Sequence, residues 1–199
     1  DKDGNLIILY AQNKDEQYTY IESAKEKGYE VLLLDSPIIP HLMQKLESKK
    51  EKIKFSRVDS DTLENLIKKD EEVISKLTDE EKEKLKPMIE TAVENEKYTV
   101  QLEALDSNSM PFMLAQPEFM RRMKEMQQTG GGAMGNLPEM YSLIVNTNHE
   151  LVGKILNTRT EKKRNSLIKQ SIDLAKLSQN NLTGKDLTEF INRSIDLIK

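Results

Sequence analysis

Few residues in this chain could carry catalysis. It contains two histidines, His41 and His149, and no cysteine, so a nucleophile–base pair would require a serine beside one of them. No serine stands in the strained Gly-x-Ser-x-Gly turn that exposes such a nucleophile. His149 falls in the first turn of a predicted helix, where capping or packing is the commoner role. Because no spacing of histidines and carboxylates fits a metal site either, we predict no catalytic residue, metal or cofactor here.

One carboxylate supports an alternative, in which the chain is a small α/β enzyme or ligand-binding domain. Asp35 follows the apolar segment Tyr29–Leu34, and open α/β sheets bind ligands at such strand ends. The commoner role would be a cap, made by Asp35 or Ser36, for a helix that begins at Pro37. No glycine-rich phosphate loop follows the nearby predicted strands, which argues against a nucleotide site.

A binding chemistry is indicated by the stretch from Met110 to Met140, which holds seven of the nine methionines. Pro117 suits the first position of a helix, since its φ is restricted and it has no N–H. Four apolar residues follow it at helical spacing and predict a short amphipathic helix before a glycine tract: Phe119, Met120, Met123 and Met126. Methionine side chains are flexible, so this face could adapt to varied partners. Ordinary core packing is the alternative, and the residues alone do not decide between the two.

Composition narrows the class of protein. Of the 199 residues 32% are charged, with interspersed signs and a net charge of −4, which does not indicate a nucleic-acid partner. No apolar run is long enough for a membrane span. The absence of cysteine fits a cytoplasmic protein. Because the first residue is Asp1 rather than Met, we expect a longer polypeptide from which this chain is cut.

The elements that must position these residues form two groups. Residues 5–60 alternate strand and helix patterns, with buried strands predicted at Leu6–Tyr10 and Tyr29–Leu34 and a third strand in residues 52–59. Short links between them predict a βαβαβ unit with a parallel sheet. The first intervening helix has Tyr18, Ile21 and Ala24 on one face and ends at Gly28.

A Lys- and Glu-rich stretch then leads to a domain boundary near Leu77, so we predict domains at residues 1–76 and 77–199. A capping box from Thr78 to Glu81 opens the next helix. Alternation predicts strands in residues 97–105, 111–115 and 140–146. Everything after Asn148 has helical periodicity.

The last two helices have broad aliphatic faces that need a cover. Their apolar residues include Leu167, Ile168 and Ile172 on one helix, and Leu187, Phe190, Ile191, Ile195 and Ile198 on the other. A symmetric copy of the pair would complete a dimeric four-helix bundle. Packing onto the chain's own sheet is the alternative. The fold class predicted overall is α+β.

In order and spacing, three segments resemble the bacterial heat-shock protein 90 chaperones of the high-temperature protein G (HtpG) type. These are residues 27–46 (KGYEVLLLDSPI through QKL), Met110-Pro111 through Met123, and Asn146–Val152, which is similar to the family's Asn-Pro-x-His-x-Leu segment. Ile39 stands where the family usually has an acidic residue, and Thr147 replaces the proline. The chain also ends without an acidic tail for tetratricopeptide co-chaperones.

This resemblance implies a dimeric, ATP-driven chaperone of the heat-shock response that binds partly folded clients. The ATP and Mg²⁺ sites would lie in domains outside this chain. Residues 1–76 would end the middle domain, and residues 77–199 would form the dimerisation domain. Client contact is implied for Met110, Phe112, Phe119, Met120, Met123 and Met126, and the dimer interface for the aliphatic residues of the last two helices.

Overall fold

A computed structural model describes residues 1–68, 73–93, 97–130 and 140–198, with the side chains of 127–130 and 197 left aside. The strands in this part of the chain are β1 (Leu6–Ala11), β2 (Leu32–Leu33), β3 (Ile53–Arg57), β4 (Tyr98–Glu103), β5 (Phe112–Ala115) and β6 (Tyr141–Asn146). The helices are α1 (Tyr18–Glu26), α2 (Ile39–Lys49), α3 (Leu63–Leu66), α4 (Asp79–Glu90), α5 (Glu118–Gly130), α6 (Glu150–Asn157), α7 (Glu161–Ser178) and α8 (Gly184–Ile198).

These elements form two compact units. The first combines Asp1–Glu72 with Ala115–Met140, and the second combines Val73–Leu114 with Tyr141–Lys199. The first break in the chain lies close to the predicted 76/77 boundary. The segment that carries α5, which the sequence assigned to the second domain, packs instead with the first unit.

The first unit contains the predicted βαβαβ sheet. Its strand order is β2-β1-β3, and β1 pairs in parallel with both neighbours. The core of this unit includes Tyr10 of β1, Met43 of α2 and Phe55 of β3. The prediction of a parallel sheet with short strand–helix links is confirmed.

The prediction of a buried second strand over Tyr29–Leu34 is wrong. The strand is limited to Leu32 and Leu33, whose side chains are 48% and 55% exposed. An apolar run indicates burial only where other elements cover both faces of the strand. This strand lies at the edge of the sheet and pairs with β1 alone, through Tyr10 and Ala11.

Helix α1 ends as its sequence predicts, but one residue of its predicted buried face is different. Gly28 has φ +80° beyond α1, and its N–H donates to the Lys25 carbonyl, while Tyr29 N–H donates to that of Ala24. This is the Schellman geometry expected of a glycine at that position. Tyr18 was wrongly placed on the buried face, because Tyr20 lies there instead.

The predicted side-chain cap before α2 is also wrong. This helix begins at Ile39 with Ile38 as its N-cap, and neither Asp35 nor Ser36 supplies a side-chain cap. The backbone carbonyl of Ser36 accepts the N–H of Ile39 instead, at 3.0 Å.

The second unit is a three-stranded sheet covered by helices. All three predicted strands are present, in the order β4-β6-β5, with β4 and β6 parallel from Tyr98↔Tyr141 to Glu103↔Asn146. Its core takes in fully buried residues of the sheet and of α4, α6 and α7, among them Leu143, Leu85, Ile155 and Ile168. Thr78 and Glu81 form the predicted capping box at the start of α4.

A buried polar loop closes the end of this sheet. The side-chain amide of Asn148 donates to the carbonyls of Ile74 and Leu105, both at 3.0 Å, and its oxygen accepts the N–H of Lys76 at 2.6 Å. Beside it, the Thr147 hydroxyl accepts a hydrogen bond from Ser75 at 2.9 Å. The loop therefore holds the start of the second unit against the ends of its strands.

Replacing Asn148 by alanine leaves the buried Leu105 carbonyl without this partner and removes the two hydrogen bonds that hold Ile74 and Lys76. We expect Asn148→Ala to lower the free energy of unfolding by about 2–3 kcal/mol, measured by urea denaturation followed by circular dichroism. Asn157→Ala is the matched control, since that exposed amide donates only to the Gly153 carbonyl, and it should cost less than about 0.5 kcal/mol. Equal losses from the two variants would contradict the role given to the loop.

Candidate functional site

Helix α5 contacts the first unit through its polar face. It starts after Pro117, as predicted, and the Pro117 carbonyl accepts the N–H of Arg121 at 3.1 Å. Four polar residues recur at intervals of three and four and so share one side of the helix: Glu118, Arg121, Arg122 and Glu125. Together with Tyr10 and Glu47 we call these residues the charge cluster.

Tyr10 at the end of β1 is the centre of the charge cluster. Its ring belongs to the core, and its hydroxyl donates to Glu118 Oε1 at 2.8 Å. Arg121 is only 3% exposed, and its guanidinium donates to the Tyr10 hydroxyl, to Glu118 and to Glu125. This buried cation therefore has carboxylates on both sides and a phenol between them.

Arg122 makes the second attachment. Its guanidinium donates to the two carboxylate oxygens of Glu47 on α2, at 2.7 and 3.3 Å, and to the Phe55 carbonyl on β3 at 2.7 Å. Its Nε also donates to Glu118 at 2.7 Å. Because Glu47 in turn accepts the N–H of Phe55 at 2.7 Å, the ion pair is tied to the sheet backbone.

The electrostatics of the charge cluster favour an ionised Glu118 and a neutral phenol at Tyr10. Burial alone would raise the pKa of Glu118, but the charges of Arg121 and Arg122 outweigh it and hold the pKa below the ordinary 4.5. Burial, followed by the neighbouring carboxylate of Glu118, raises the pKa of Tyr10. The hydroxyl thus keeps the proton that it donates.

The apolar side of α5 points away from the charge cluster. Phe119 is 71% exposed, and Met120, Met123 and Met126 are half-buried. The two remaining residues of the predicted client surface lie in or before β5: Met110 is half-buried, and Phe112 is 2% exposed in the core of the second unit. Phe119 is therefore well exposed, whereas Phe112 is a core residue and cannot contact a client in this structure.

The three predicted interface residues of α7 belong to the core of the second unit. Ile168 and Ile172 are buried in the core of the second unit, with Leu167 packed against it. They cover the chain's own sheet, which was the alternative left open by the sequence. Leu174 and Leu177 of the same helix are exposed.

On α8, Phe190 is buried and Leu187 half-buried, whereas Ile191, Ile195 and Ile198 are exposed, Ile198 by 85%. Polar contacts join this helix to α7. Arg193 pairs with the buried carboxylate of Asp173, and Gln170 donates to the Ser194 hydroxyl at 2.8 Å. We call the five exposed residues of the two helices the aliphatic stripe: Leu174, Leu177, Ile191, Ile195 and Ile198.

Asp173 is buried on one side of this polar contact. Burial raises the pKa of its carboxyl, and the charge of Arg193 counteracts that rise without cancelling it. The pair therefore joins the helices at an electrostatic cost, with the aliphatic residues left outside.

The residues first considered for catalysis are either a helix cap or exposed side chains. His149 is the N-cap of α6, where its Nδ1 accepts the N–H of Leu151 at 3.0 Å, so the predicted capping role is confirmed. His41 and Asp35 are exposed, one on α2 and the other after β2. No group of three metal-ligating side chains occurs among the described residues. Nor does any helix in that part of the chain combine the length and apolarity needed to cross a bilayer.

Comparison with known proteins gives one consistent result. The HtpG chaperone protein of Bacteroides thetaiotaomicron is 35% identical and aligns with 100% of this chain and 39% of its own length. That of Porphyromonas gingivalis is 40% identical over 89% of this chain and 27% of its own length. The Wolinella succinogenes HtpG is 28% identical over 96% of the chain. No family model matches.

The chain is homologous to the HtpG chaperones. It spans about two fifths of the length of the Bacteroides HtpG proteins. The resemblance inferred from three short segments is thus confirmed by relatives that align with nearly the whole chain.

Sequence reasoning about this HtpG homologue missed the charge cluster. The signal available was the Glu-x-x-Arg-Arg-x-x-Glu pattern from Glu118 to Glu125, which places acids and bases on one helix face. That pattern normally indicates a solvated face. Its partners Tyr10 and Glu47 are separated from α5 by more than seventy residues, so local spacing does not reveal them.

The depressed pKa of Glu118 predicts a pH dependence of stability. An acid whose pKa is lower in the folded state than in the unfolded state stabilises the fold above the unfolded-state value, near 4.5, and loses that contribution as pH falls through the folded-state value. Glu118→Gln should therefore be less stable than wild type at pH 7, by about 1–3 kcal/mol. The difference should shrink below pH 4.5.

Denaturation followed by circular dichroism from pH 7 to pH 3 measures this difference. Glu83→Gln, on the exposed side of α4, is the matched control and should track wild type throughout. A Glu118 difference that stays constant over the whole range would contradict the assignment.

Proposed function

We propose that this chain is the dimerisation and client-contact part of an HtpG chaperone, from the C-terminal portion of the full-length protein. The observation that carries the proposal is the orientation of α5. Its polar face packs against the first unit through the charge cluster, while Phe119 on the other side is 71% exposed and Met120, Met123 and Met126 are half-buried. A helix in an ordinary globular domain buries the opposite side.

Partly folded proteins are the partners that fit this surface. They expose apolar side chains in no single arrangement, so a surface that binds many of them must adapt its shape. Methionine has three rotatable bonds and a polarizable sulfur, and Phe119 adds a large apolar ring. Protein chains with exposed apolar segments are thus the proposed class of client, as expected of proteins named chaperones.

The aliphatic stripe supports the proposal of a homodimer. Its five large side chains lie on two helices that polar contacts join to each other. A two-fold axis would place the stripe against its own copy and form a four-helix bundle. The interface proposed now is the stripe, with Leu187 and Phe190 at its margin, rather than Leu167, Ile168 and Ile172.

The remaining properties of the full-length chaperone are proposed from the relatives. ATP and Mg²⁺ would act in segments outside this chain, so we propose no ATPase activity and no cofactor for the chain itself. A cytoplasmic location and a role in protein folding under stress belong to the same proposal. Neither nucleic acid nor membrane is proposed as a partner.

The dimer predicts a mass that depends on the aliphatic stripe. Sedimentation equilibrium at micromolar concentration should give about twice the chain mass of 22.9 kDa. Ile191→Asp combined with Ile195→Asp should release monomers, since a carboxylate in an apolar interface loses its hydration. Asn192→Asp, exposed on the same helix, should remain dimeric. A wild-type monomer at these concentrations would exclude the dimer.

The client surface predicts a selective loss of affinity. Phe119→Ser should weaken binding of a fluorescently labelled, permanently unfolded model protein about tenfold, because a large apolar contact is removed. The Tm should change by less than about 2 °C, since Phe119 is exposed. Leu42→Ser, which removes an exposed leucine from α2, should leave both unchanged. If the two variants bind the model protein as wild type does, α5 is not the client surface.

A further inference from the structure

We infer that the charge cluster is a latch, which holds α5 on the β1–α2–β3 layer and can open without unfolding that layer. The idea that the latch regulates client binding rests on the function proposed above. The idea that the latch holds α5 and can open does not rest on it, so the two ideas can be tested separately.

The first argument is the kind of contact that holds α5. The attachments of this helix to the rest of the first unit include hydrogen bonds and ion pairs from Arg121 and Arg122 to Tyr10, Glu47 and Phe55. The Glu118 carboxylate also accepts from Tyr10, and Glu125 pairs with Arg57 of β3 at 3.8 Å. Phe119, the aromatic residue of the helix, is 71% exposed and so gains little from burial. Polar contacts therefore attach α5 to the layer while this large apolar side chain stays outside the attachment.

The second argument is energetic. When charges are buried, the loss of hydration offsets much of their mutual attraction, so a salt-bridged contact is weakly cohesive as a whole. Removing one partner is nevertheless strongly unfavourable, because the charge left behind has neither water nor a counter-ion. A contact with these two properties is closed when complete and opens when a single group is lost.

The third argument is topological. Helix α5 lies between β5 and β6, whose strand pairing is within the sheet of the second unit. Opening the latch would break the contacts of the charge cluster but no strand pairing in either sheet. The layer that α5 covers also keeps its own ladders, from Leu6↔Ile53 to Tyr10↔Arg57.

Tyr10 offers a sharp probe, since its two roles can be separated. The ring packs in the core with Met43 and Phe55, and only the hydroxyl enters the charge cluster. Tyr10→Phe keeps the ring and removes the hydroxyl. Glu47→Gln weakens the second attachment on α2.

Hydrogen exchange of the 199-residue chain without client tests the latch. In Tyr10→Phe combined with Glu47→Gln, amides 122–126 of α5 should exchange about tenfold faster or more, while those of β1 and β3 change less than about twofold. Tyr18→Phe, which alters an exposed tyrosine of α1, should change neither group. Equal acceleration of α5 and the strands, or no acceleration of α5, would overturn the inference.

Client binding by the same variants separates the latch from the proposed function. Selective opening of α5 with a change of threefold or more in affinity for the unfolded model protein would support both. If α5 opens selectively and no variant, wild type included, binds that protein, the latch stands and the client role fails.

Discussion

A guanidinium removed from water needs carboxylates or other acceptors for its N–H groups. Arg121 is almost fully buried, and this constraint determines how α5 lies on the first unit. Glu118 and Glu125, one turn away on either side, and the Tyr10 hydroxyl accept from its two terminal NH₂ groups, while its buried Nε has no hydrogen-bond partner among the residues that the structure describes. Once these four groups are in place, the rotation of the helix about its axis is set. Phe119, on the other side of the helix, is then left exposed, although its ring gains nothing from exposure.

The same principle orders the C-terminal helices. Asp173 and Arg193 pair across α7 and α8, and Gln170 bonds to Ser194 one turn along. Polar groups thus take part in joining two amphipathic helices, although Ile172 and Phe190 are also buried there. In both places the polar pairs fix which side of a helix faces inward.

Much of the fold follows from local patterns. The parallel β1 and β3, the glycine end of α1, the capping box of α4 and the three strands of the second sheet were all predicted from spacing and residue type. These features depend on neighbours in sequence or on the two-residue period of strands. The prediction that β2 is buried failed because an apolar run does not show whether other elements cover the strand.

The site was only half predictable, for a related physical reason. Periodicity identifies which residues of α5 share a face, and it located Phe119 and the methionines correctly on one side. It does not say toward what that side points, since the direction depends on partners such as Tyr10, 108 positions away from Glu118. On α7, the same ambiguity led from a correct apolar face to the wrong neighbour, because Ile168 and Ile172 cover the chain's own sheet.

The position of β6 between β4 and β5 has a consequence for the order of folding. The two earlier strands are not neighbours in the sheet, so neither has its partner until residues 141–146 have been made. The first sheet needs nothing beyond Arg57. During synthesis from the N-terminus, the β1–α2–β3 layer can therefore form while the later strands are still unpaired. Helix α5 is then synthesised after the layer that it contacts and before β6, the strand that pairs with β4 and β5.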